Sequence, residues 1–391
     1  MDVVVTGIGL VTSLGADRAS TWAALREGRR GLAPLRLFEL EGRAAPVVAE
    51  VRSFPRRKGV PRRALAGSSR TDRMAIAAAR EAVEDAGLDE RSLAGAAIVL
   101  GASSAGMLEG EDYFRRAFAS GHDAARRELL GGIEATSATS RVALALGAKG
   151  PRATFTTACS SSAHAVGHAL DLLREGRAEV AIAGASDGLC RLAVAGFLAL
   201  ENVSREGCRP FAKDRDGMTV GEAACMLVLE RRGRARKKPY ARVLGYGAAC
   251  EAYHPTATDP SGRGAEEAIR AALADAGLAA AAIGYVNAHA PGTRDNDAVE
   301  AAALARVFPG GVAVSSTKAG HGHTLGAAGA VEAAVTCLAL SERFLPGQGP
   351  TDPEGAIDVV EKGREQAVAH ALSLSLAFGG NDVALVLGAA S

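Results

Sequence analysis

Aromatic side chains are scarce, 4% of 391 residues with a single Trp, so the interior must be filled by small and aliphatic groups. Net charge is nearly absent: 45 Lys+Arg stand against 44 Asp+Glu, a formal +1. That balance removes the simplest case for a nucleic-acid binder, which carries a basic excess. With hydrophobic residues at 48%, it also argues against a disordered chain. No C-x-x-C pair occurs among Cys159, Cys190, Cys208, Cys225, Cys250 and Cys337, and six cysteines in this length make neither a disulfide scaffold nor a metal site. Five of them read as small buried hydrophobes, with Cys159 set apart. The uncharged stretch Ala276 to Thr293 is interrupted by Asn287, His289, Pro291 and several glycines, which is unlike a transmembrane helix. Asp2 stands where a signal peptide needs basic residues. The expectation is a soluble, cytoplasmic protein with no membrane and no nucleic-acid partner.

The length permits more than one domain-sized unit. Strand and helix patterns alternate throughout. Asp2 to Thr6 reads as a strand ending in a turn at Gly7-Ile8-Gly9, Thr71 to Ala86 as a helix stopped by Gly87, and Ala96 to Leu100 as a buried strand. Alternation of this kind predicts an α/β protein with a mostly parallel sheet. A basic run at Arg231 to Lys238 reads as a solvated linker, and Arg56-Arg57-Lys58 with Arg62-Arg63 reads the same way. On each side of the first run one unit recurs. Strand Ala153 to Thr157, turn Ala158-Cys159-Ser160 and small-residue helix Ser161 to Arg174 are echoed by strand Val312 to Ser316, turn Gly320 to His323 and a small-residue helix through Glu332 to Leu340. The pattern implies a duplicated fold with halves 1–235 and 236–391, its small-residue helices packed in the interior between sheets.

Cys159 falls where a strand hands over to a helix, a position at which the helix dipole is expected to lower a thiol pKa, with Ser160, Ser161 and Ser162 as capping residues. His289 and His323 each follow an apolar strand run, near the carboxyl ends where α/β sheets carry functional groups. The other six histidines, His122, His164, His168, His254, His321 and His370, read as ordinary surface or core residues. His321 and His323 form an H-x-H pair with no further ligand cluster, so no metal site is expected.

T-T-A-C-S-S-S-A-H-A around Cys159, Y-V-N-A-H around His289 and S-T-K-A-G-H-G-H-T-L-G-A-A-G-A around His323 resemble the active-site segments of elongating β-ketoacyl-acyl-carrier-protein synthases. The likeness extends from the opening V-V-V-T-G-I-G-L-V-T-S-L-G through R-P-F-A-K-D-R-D-G-M at Arg209 to Met218, and on to A-F-G-G-N-D at Ala377 to Asp382. The resemblance implies a thiolase-like fold in five layers, α-β-α-β-α, and a decarboxylating Claisen condensation. Cys159 would take an acyl group from a carrier protein. His289 and His323 would stabilise the enolate made from malonyl-carrier protein, and the backbone N–H groups of Cys159 and Phe378 would form an oxyanion hole. Lys318 and Glu332 would organise the charge around His323. Phe378 would gate the site on a loop freed by Gly379 and Gly380. No cofactor is implied, because the phosphopantetheine arrives on the carrier protein. Initiating synthases use Cys, His and Asn, and thiolases a second Cys; His323 after Lys318 favours the elongating class.

The family pattern H-G-T-x-T reads His289-Ala290-Pro291-Gly292-Thr293 here. Pro291 replaces one of two threonines that hold the pantetheine arm and offers no donor, leaving Thr293. N-S-F-G-F-G-G becomes Leu374-Ser375-Leu376-Ala377-Phe378-Gly379-Gly380, and the segment Met107 to Gly132 is compact where relatives place dimer-cap helices. These departures favour a specialised type II polyketide, polyene or fatty-acid pathway, with the chain paired either to itself or to a ketosynthase-like subunit. Two competitors are a non-catalytic chain-length-factor-type subunit, which typically lacks the nucleophile, and a cysteine hydrolase, which would need an Asn or Asp on its His and no Lys318.

Overall fold

A computed structural model describes residues 2–55, 59–352 and 357–390. In the first half, strands β1 (Val3–Val11), β2 (Ala97–Gly101), β3 (Arg152–Phe155), β4 (Val180–Asp187) and β5 (Ala223–Arg231) lie in the order β3-β2-β4-β5-β1. In the second half, β6 (Ala241–Cys250), β7 (Tyr285–Asn287), β8 (Ala313–Ser315), β9 (His370–Ser375) and β10 (Asn381–Ala389) lie in the matching order β8-β7-β9-β10-β6. Strand sense repeats as well. In each half the third, second and fourth strands run parallel, and the fifth is antiparallel to both its neighbours. The halves join where β1 pairs antiparallel with β6, Val3 opposite Val243 and Val5 opposite Ala241.

The helices that matter below are α1 (Arg70–Ala86), α2 (Met107–Ser120), α3 (Ser161–Arg174), α4 (Arg191–Ala199), α5 (Arg263–Ala276), α6 (Arg294–Val307) and α7 (Ala328–Glu342). α1 begins at a capping box in which Ser69 and Asp72 satisfy each other's backbone N–H, and it ends at Gly87 with φ 67°. It covers the outer face of the first sheet, and α5 covers the outer face of the second. Between the sheets lie α3 and α7, each touching strands of both halves. The result is five layers, α-β-α-β-α. The stretch Leu325–Glu342 is long and apolar enough to cross a bilayer, yet it is almost wholly buried between the sheets. Apolarity on every side of α7 is explained by having a sheet on each side.

Five sequence expectations need correction. The sheet is mixed and not mostly parallel, since β1, β5, β6 and β10 pair antiparallel with their neighbours. Gly7-Ile8-Gly9 is not a turn: β1 runs on to Val11 with an irregularity between Val5 and Gly7. The glycines serve close packing instead, since a Cβ on Gly7 would lie 2.1 Å from the Ala82 carbonyl oxygen and one on Gly9 1.8 Å from that of Ala78. Cys250 is exposed, not a core residue. The run after Arg231 is exposed but tied down: Arg231 pairs with Glu179, Arg234 with Glu230 and Arg236 with Asp89. The turn matching Ala158-Cys159-Ser160 in the repeat is Leu325-Gly326-Ala327, and Lys318–His321 is a short helix of its own. Both turns precede a central helix and both hold a non-glycine residue with positive φ, Ala158 at 52° and Leu325 at 52°. Of the second basic cluster, Arg56, Arg57 and Lys58 lie outside the described residues.

Candidate active site

β3 ends at Phe155, the chain makes one 3-10 turn over Ala158–Ser160, and α3 begins at Ser161. Cys159 is thereby set at the head of α3, only 8% exposed. The serines do not cap the helix as expected; they tie the turn. Ser160 Oγ donates to the Thr157 carbonyl (2.9 Å) and Ser161 Oγ to that of Ala158 (2.7 Å), while Ser162 Oγ accepts from Ala330 N–H (2.8 Å) and so binds α3 to α7. The thiol is also not acidic. Burial pushes it up to about 11, and the Lys318 charge and the Phe378 N–H that donates to the sulfur only partly offset this. Desolvating a thiolate costs more than the helix terminus returns, so the resting form is the thiol.

His323 Nε2 stands 3.1 Å from Cys159 Sγ. Its backbone is clamped on both sides, its N–H donating to Thr219 O (2.7 Å) and its carbonyl accepting from Gly221 N–H (2.8 Å). The His289 ring lies perpendicular to it at 5.2 Å between centroids. Burial first, then the Lys318 charge, holds both imidazoles well below the ordinary histidine value, so both are neutral.

Lys318 and Glu332 are fully buried and form an ion pair, which excludes a solvated surface pair. Lys318 contacts His289 rather than His323 as expected. Lys318 Nζ donates to the His289 carbonyl (2.6 Å) and stands 3.4 Å from its Nδ1. An ammonium has only donors, so Nδ1 must be the acceptor and Nε2 carries the hydrogen. His321 faces elsewhere, its Nε2 on Thr317 Oγ1 (3.1 Å) and its Nδ1 on Gly322 O (2.8 Å). Among the described residues no cluster of three His, Cys, Asp or Glu converges as a metal site.

These groups open on a cavity of about 1060 Å³, whose lining includes Cys159, His289, His323, Phe378, Thr293 and Pro291. Phe378 closes one side against Phe197 of α4, ring centroids 5.9 Å apart. Its loop turns on Gly379 and Gly380, with φ of 82° and 72° that only glycine adopts freely.

Comparison with known proteins places the chain in a family. The profile of the beta-ketoacyl synthase N-terminal domain matches residues 1–235, and that of the C-terminal domain residues 240–351. The chain belongs to the β-ketoacyl synthase family. Nodulation protein E of Rhizobium meliloti is 37% identical over 98% of both chains. The 3-oxoacyl-[acyl-carrier-protein] synthase 2 of Synechocystis is 34% identical over 98% of this chain and 97% of its own. Among solved structures, the ishigamide ketosynthase/chain length factor superposes with a TM-score of 0.93 at 33% identity, covering 100% of this chain and 99% of that one. The fold is thus the thiolase-like ketosynthase fold, and the family is one of acyltransferase-type condensing enzymes.

Several residues that hold this synthase site together escaped the sequence reading. Glu300, fully buried on α6, accepts the N–H groups of His289 and Ala290, each at 2.7 Å, and burial pushes its carboxyl up to about 8. Asp297, one turn earlier, accepts from Phe211 N–H (2.8 Å) and Gly292 N–H (3.2 Å). Arg215, inside R-P-F-A-K-D-R-D-G-M, donates to the carbonyls of Ala212 (2.9 Å) and Thr293 (3.0 Å). That segment is therefore a brace behind the His289–Thr293 loop. The signal available was an i, i+3 acid pair on the helix just after that loop. Pro291 and Thr293 both face the cavity, and the Thr293 hydroxyl does not cap α6.

Proposed function

We propose that this chain is a β-ketoacyl-acyl-carrier-protein synthase working through a covalent acyl-Cys159, in a specialised type II polyketide, polyene or fatty-acid pathway. The observation that carries the reading is the Cys159 Sγ to His323 Nε2 approach of 3.1 Å beside a second neutral imidazole with a fixed tautomer. In the first half-reaction the Cys159 sulfur attacks the acyl thioester carbon. His323 Nε2 takes the thiol proton and returns it to the departing pantetheine sulfur. The oxyanion of the tetrahedral intermediate lies against the N–H groups of Cys159 and Phe378, the latter already aimed at the sulfur. In the second half-reaction malonyl thioester loses carbon dioxide. The electron pair of the broken C–C bond becomes an enolate whose oxygen accepts from Nε2–H of His289 and from His323 once a proton taken up from solvent again sits on its Nε2. The enolate carbon attacks the acyl carbonyl, the C–S bond to Cys159 breaks, and the thiolate recovers a proton from His323 Nε2, 3.1 Å away.

The partners in this reading are acyl-carrier and malonyl-carrier protein, with Thr293 at the pantetheine arm. A second ketosynthase-like chain is the natural companion, since the solved ishigamide relative is a ketosynthase/chain length factor. A non-catalytic subunit would have no use for a thiol and imidazole in contact, and a hydrolase none for the buried Lys318–Glu332 pair. Intact-mass measurement after incubation with a panel of acyl-carrier proteins tests the reading. An acyl mass is expected on the wild type and not on Cys159→Ala. Cys159→Gln should still release carbon dioxide from malonyl-carrier protein. Acyl labelling that survives Cys159→Ala overturns it.

A further inference from the structure

A second titratable cluster sits beneath the Phe378 loop, apart from the cysteine and the histidines. Glu251, just after β6, is 5% exposed, and Asp382 on β10 is 1% exposed. A Cβ built on Gly264 in α5 would lie 2.4 Å from Asp382 Oδ2 and 3.2 Å from Glu251 Oε1, so the two carboxyl groups converge on one glycine. Glu251 accepts from Thr258 Oγ1 (3.0 Å) and from Asp259 N–H (2.9 Å). Asp382 accepts from Ala377 N–H, and its Oδ2 is buried without a hydrogen-bond partner among the described residues. Two buried carboxylates so placed cannot both be charged at low cost. A proton held between them supplies the donor that Oδ2 lacks.

The cluster bridges two chain segments. Glu251 N–H donates to Gly380 O (2.8 Å), and Gly379 N–H donates to Pro255 O (2.8 Å). Ala377 and Phe378 on one segment and Thr256 to Thr258 on the other both line the cavity. We propose that Glu251 and Asp382 share one proton and thereby latch the Phe378 loop to the Thr256–Thr258 segment over Cys159. The latch rests on the function proposed above, in that the loop it holds is the one beside the nucleophile.

Burial, then the Glu251 charge, pushes Asp382 up to about 8. The other charged groups nearby change the picture little. Glu300 adds to the rise, while Arg263 spends its donors on the Glu251 carbonyl (3.2 Å) and on the Asp259 and Glu267 carboxylates rather than on the pair. For an acid whose folded value is raised, the favourable contribution is present at low pH and is lost as pH rises through the folded value. The latch is therefore at full strength only below the ordinary carboxylate value of about 4, weakens steadily through neutral pH, and has nothing further to lose above about 8.

Hydrogen exchange of the full-length protein, followed by mass spectrometry on the peptide spanning Ala377 to Gly380, tests this without turnover. After correction for intrinsic exchange, wild-type protection is expected to fall by up to about tenfold per unit between pH 5 and 7.5, because opening releases one proton, and to level off above about 8. A peptide from α7 should keep its protection. Asp382→Asn and Glu251→Gln each leave one neutral donor facing one carboxylate, so in both the loop should stay protected to pH 9. Wild-type protection that does not change up to pH 9, or one that falls equally in both variants, overturns the latch. If one variant does not fold, the other and the wild-type profile decide. Loss of acyl transfer with the exchange profile intact would count against the proposed function and leave the latch standing.

Discussion

A buried thiol raised to about 11 and an imidazole held neutral impose a particular way of making the nucleophile. Almost no thiolate exists at neutral pH, so the proton has to leave as the sulfur attacks, and His323 Nε2 is the acceptor in reach. Acyl transfer to Cys159 should accordingly be flat between pH 6 and 7.5, with no histidine titration near 6.5. In His323→Ala the reaction falls back on free thiolate, and its rate should climb about tenfold per unit over that range. Rapid-quench mass spectrometry of Cys159 acylation checks both, and a wild-type inflection near 6.5 would sink the idea. Lys318 makes a separate prediction. Lys318→Met leaves Glu332 buried and uncompensated, which should cost about 3–5 kcal/mol in a urea melt. Adding Glu332→Gln should restore much of that stability, while carbon dioxide release stays down by about 10² because nothing holds Nδ1 of His289 as an acceptor. Recovery of the rate together with the stability would show that the pair is structural only. At this scale the sequence pointed to Cys159, His289, His323 and Lys318, which stand next to strand ends and which the fold brings together. It did not reveal that burial would overrule the helix dipole at Cys159. Nor did it reveal Glu300, Arg215 or the Glu251–Asp382 pair, since carboxylates and arginines are common and only the fold buries these particular ones.

The elements were readable where a helix carries its own punctuation. α1 was readable from its apolar spacing and the stop at Gly87, while its Ser69–Asp72 capping box was not read, and α3 was readable from its small side chains. The opening strand was misread because Gly7 and Gly9 carry the same letters as a turn, and only α1 lying across β1 distinguishes the cases. That close approach is testable. Gly9→Ala puts a methyl 1.8 Å from a backbone oxygen, which cannot move without shifting α1. A loss of at least about 1–3 kcal/mol is expected in chemical denaturation, the range for overpacking a tight core. A similar collision awaits Gly329 on α7, where a Cβ would meet Ala163 Cβ at 2.8 Å and Ser375 Oγ at 2.9 Å. Gly329→Val should therefore lower stability and disturb the head of α3, slowing Cys159 acylation more than Gly9→Ala does. Equal effects on acylation from the two substitutions would mean that the central helices do not transmit packing changes to the site.

In the whole molecule, the duplication shows most clearly in the sheets, whose strand order and strand sense match although the residues scarcely do. The sequence pointed to the repeat but aligned its turns wrongly, because it matched His323 with Cys159 by distance from a strand. The backbone pairs Cys159 with Gly326 instead, each following a left-handed residue at the head of a central helix. The two halves then divide the candidate site, one supplying the thiol and the other both imidazoles and the ion pair. They also share a single interior. Val166 and Leu170 of α3 belong to the same buried cluster as Val331 and Leu338 of α7, Tyr285 and Val383. The boundary near residue 235 therefore separates two repeats and not two folding units. Residues 1–235 expressed alone would uncover the α3 face that packs on the second sheet and would leave β1 without its β6 partner, an open apolar edge. That fragment should aggregate or lack fixed side-chain packing by near-UV circular dichroism, and the full chain should unfold in one cooperative step by calorimetry. A soluble, natively packed 1–235 fragment, or two resolved transitions in the full chain, would mean that each half carries a core of its own. The site between them would then be an interface, free to open, instead of part of one interior.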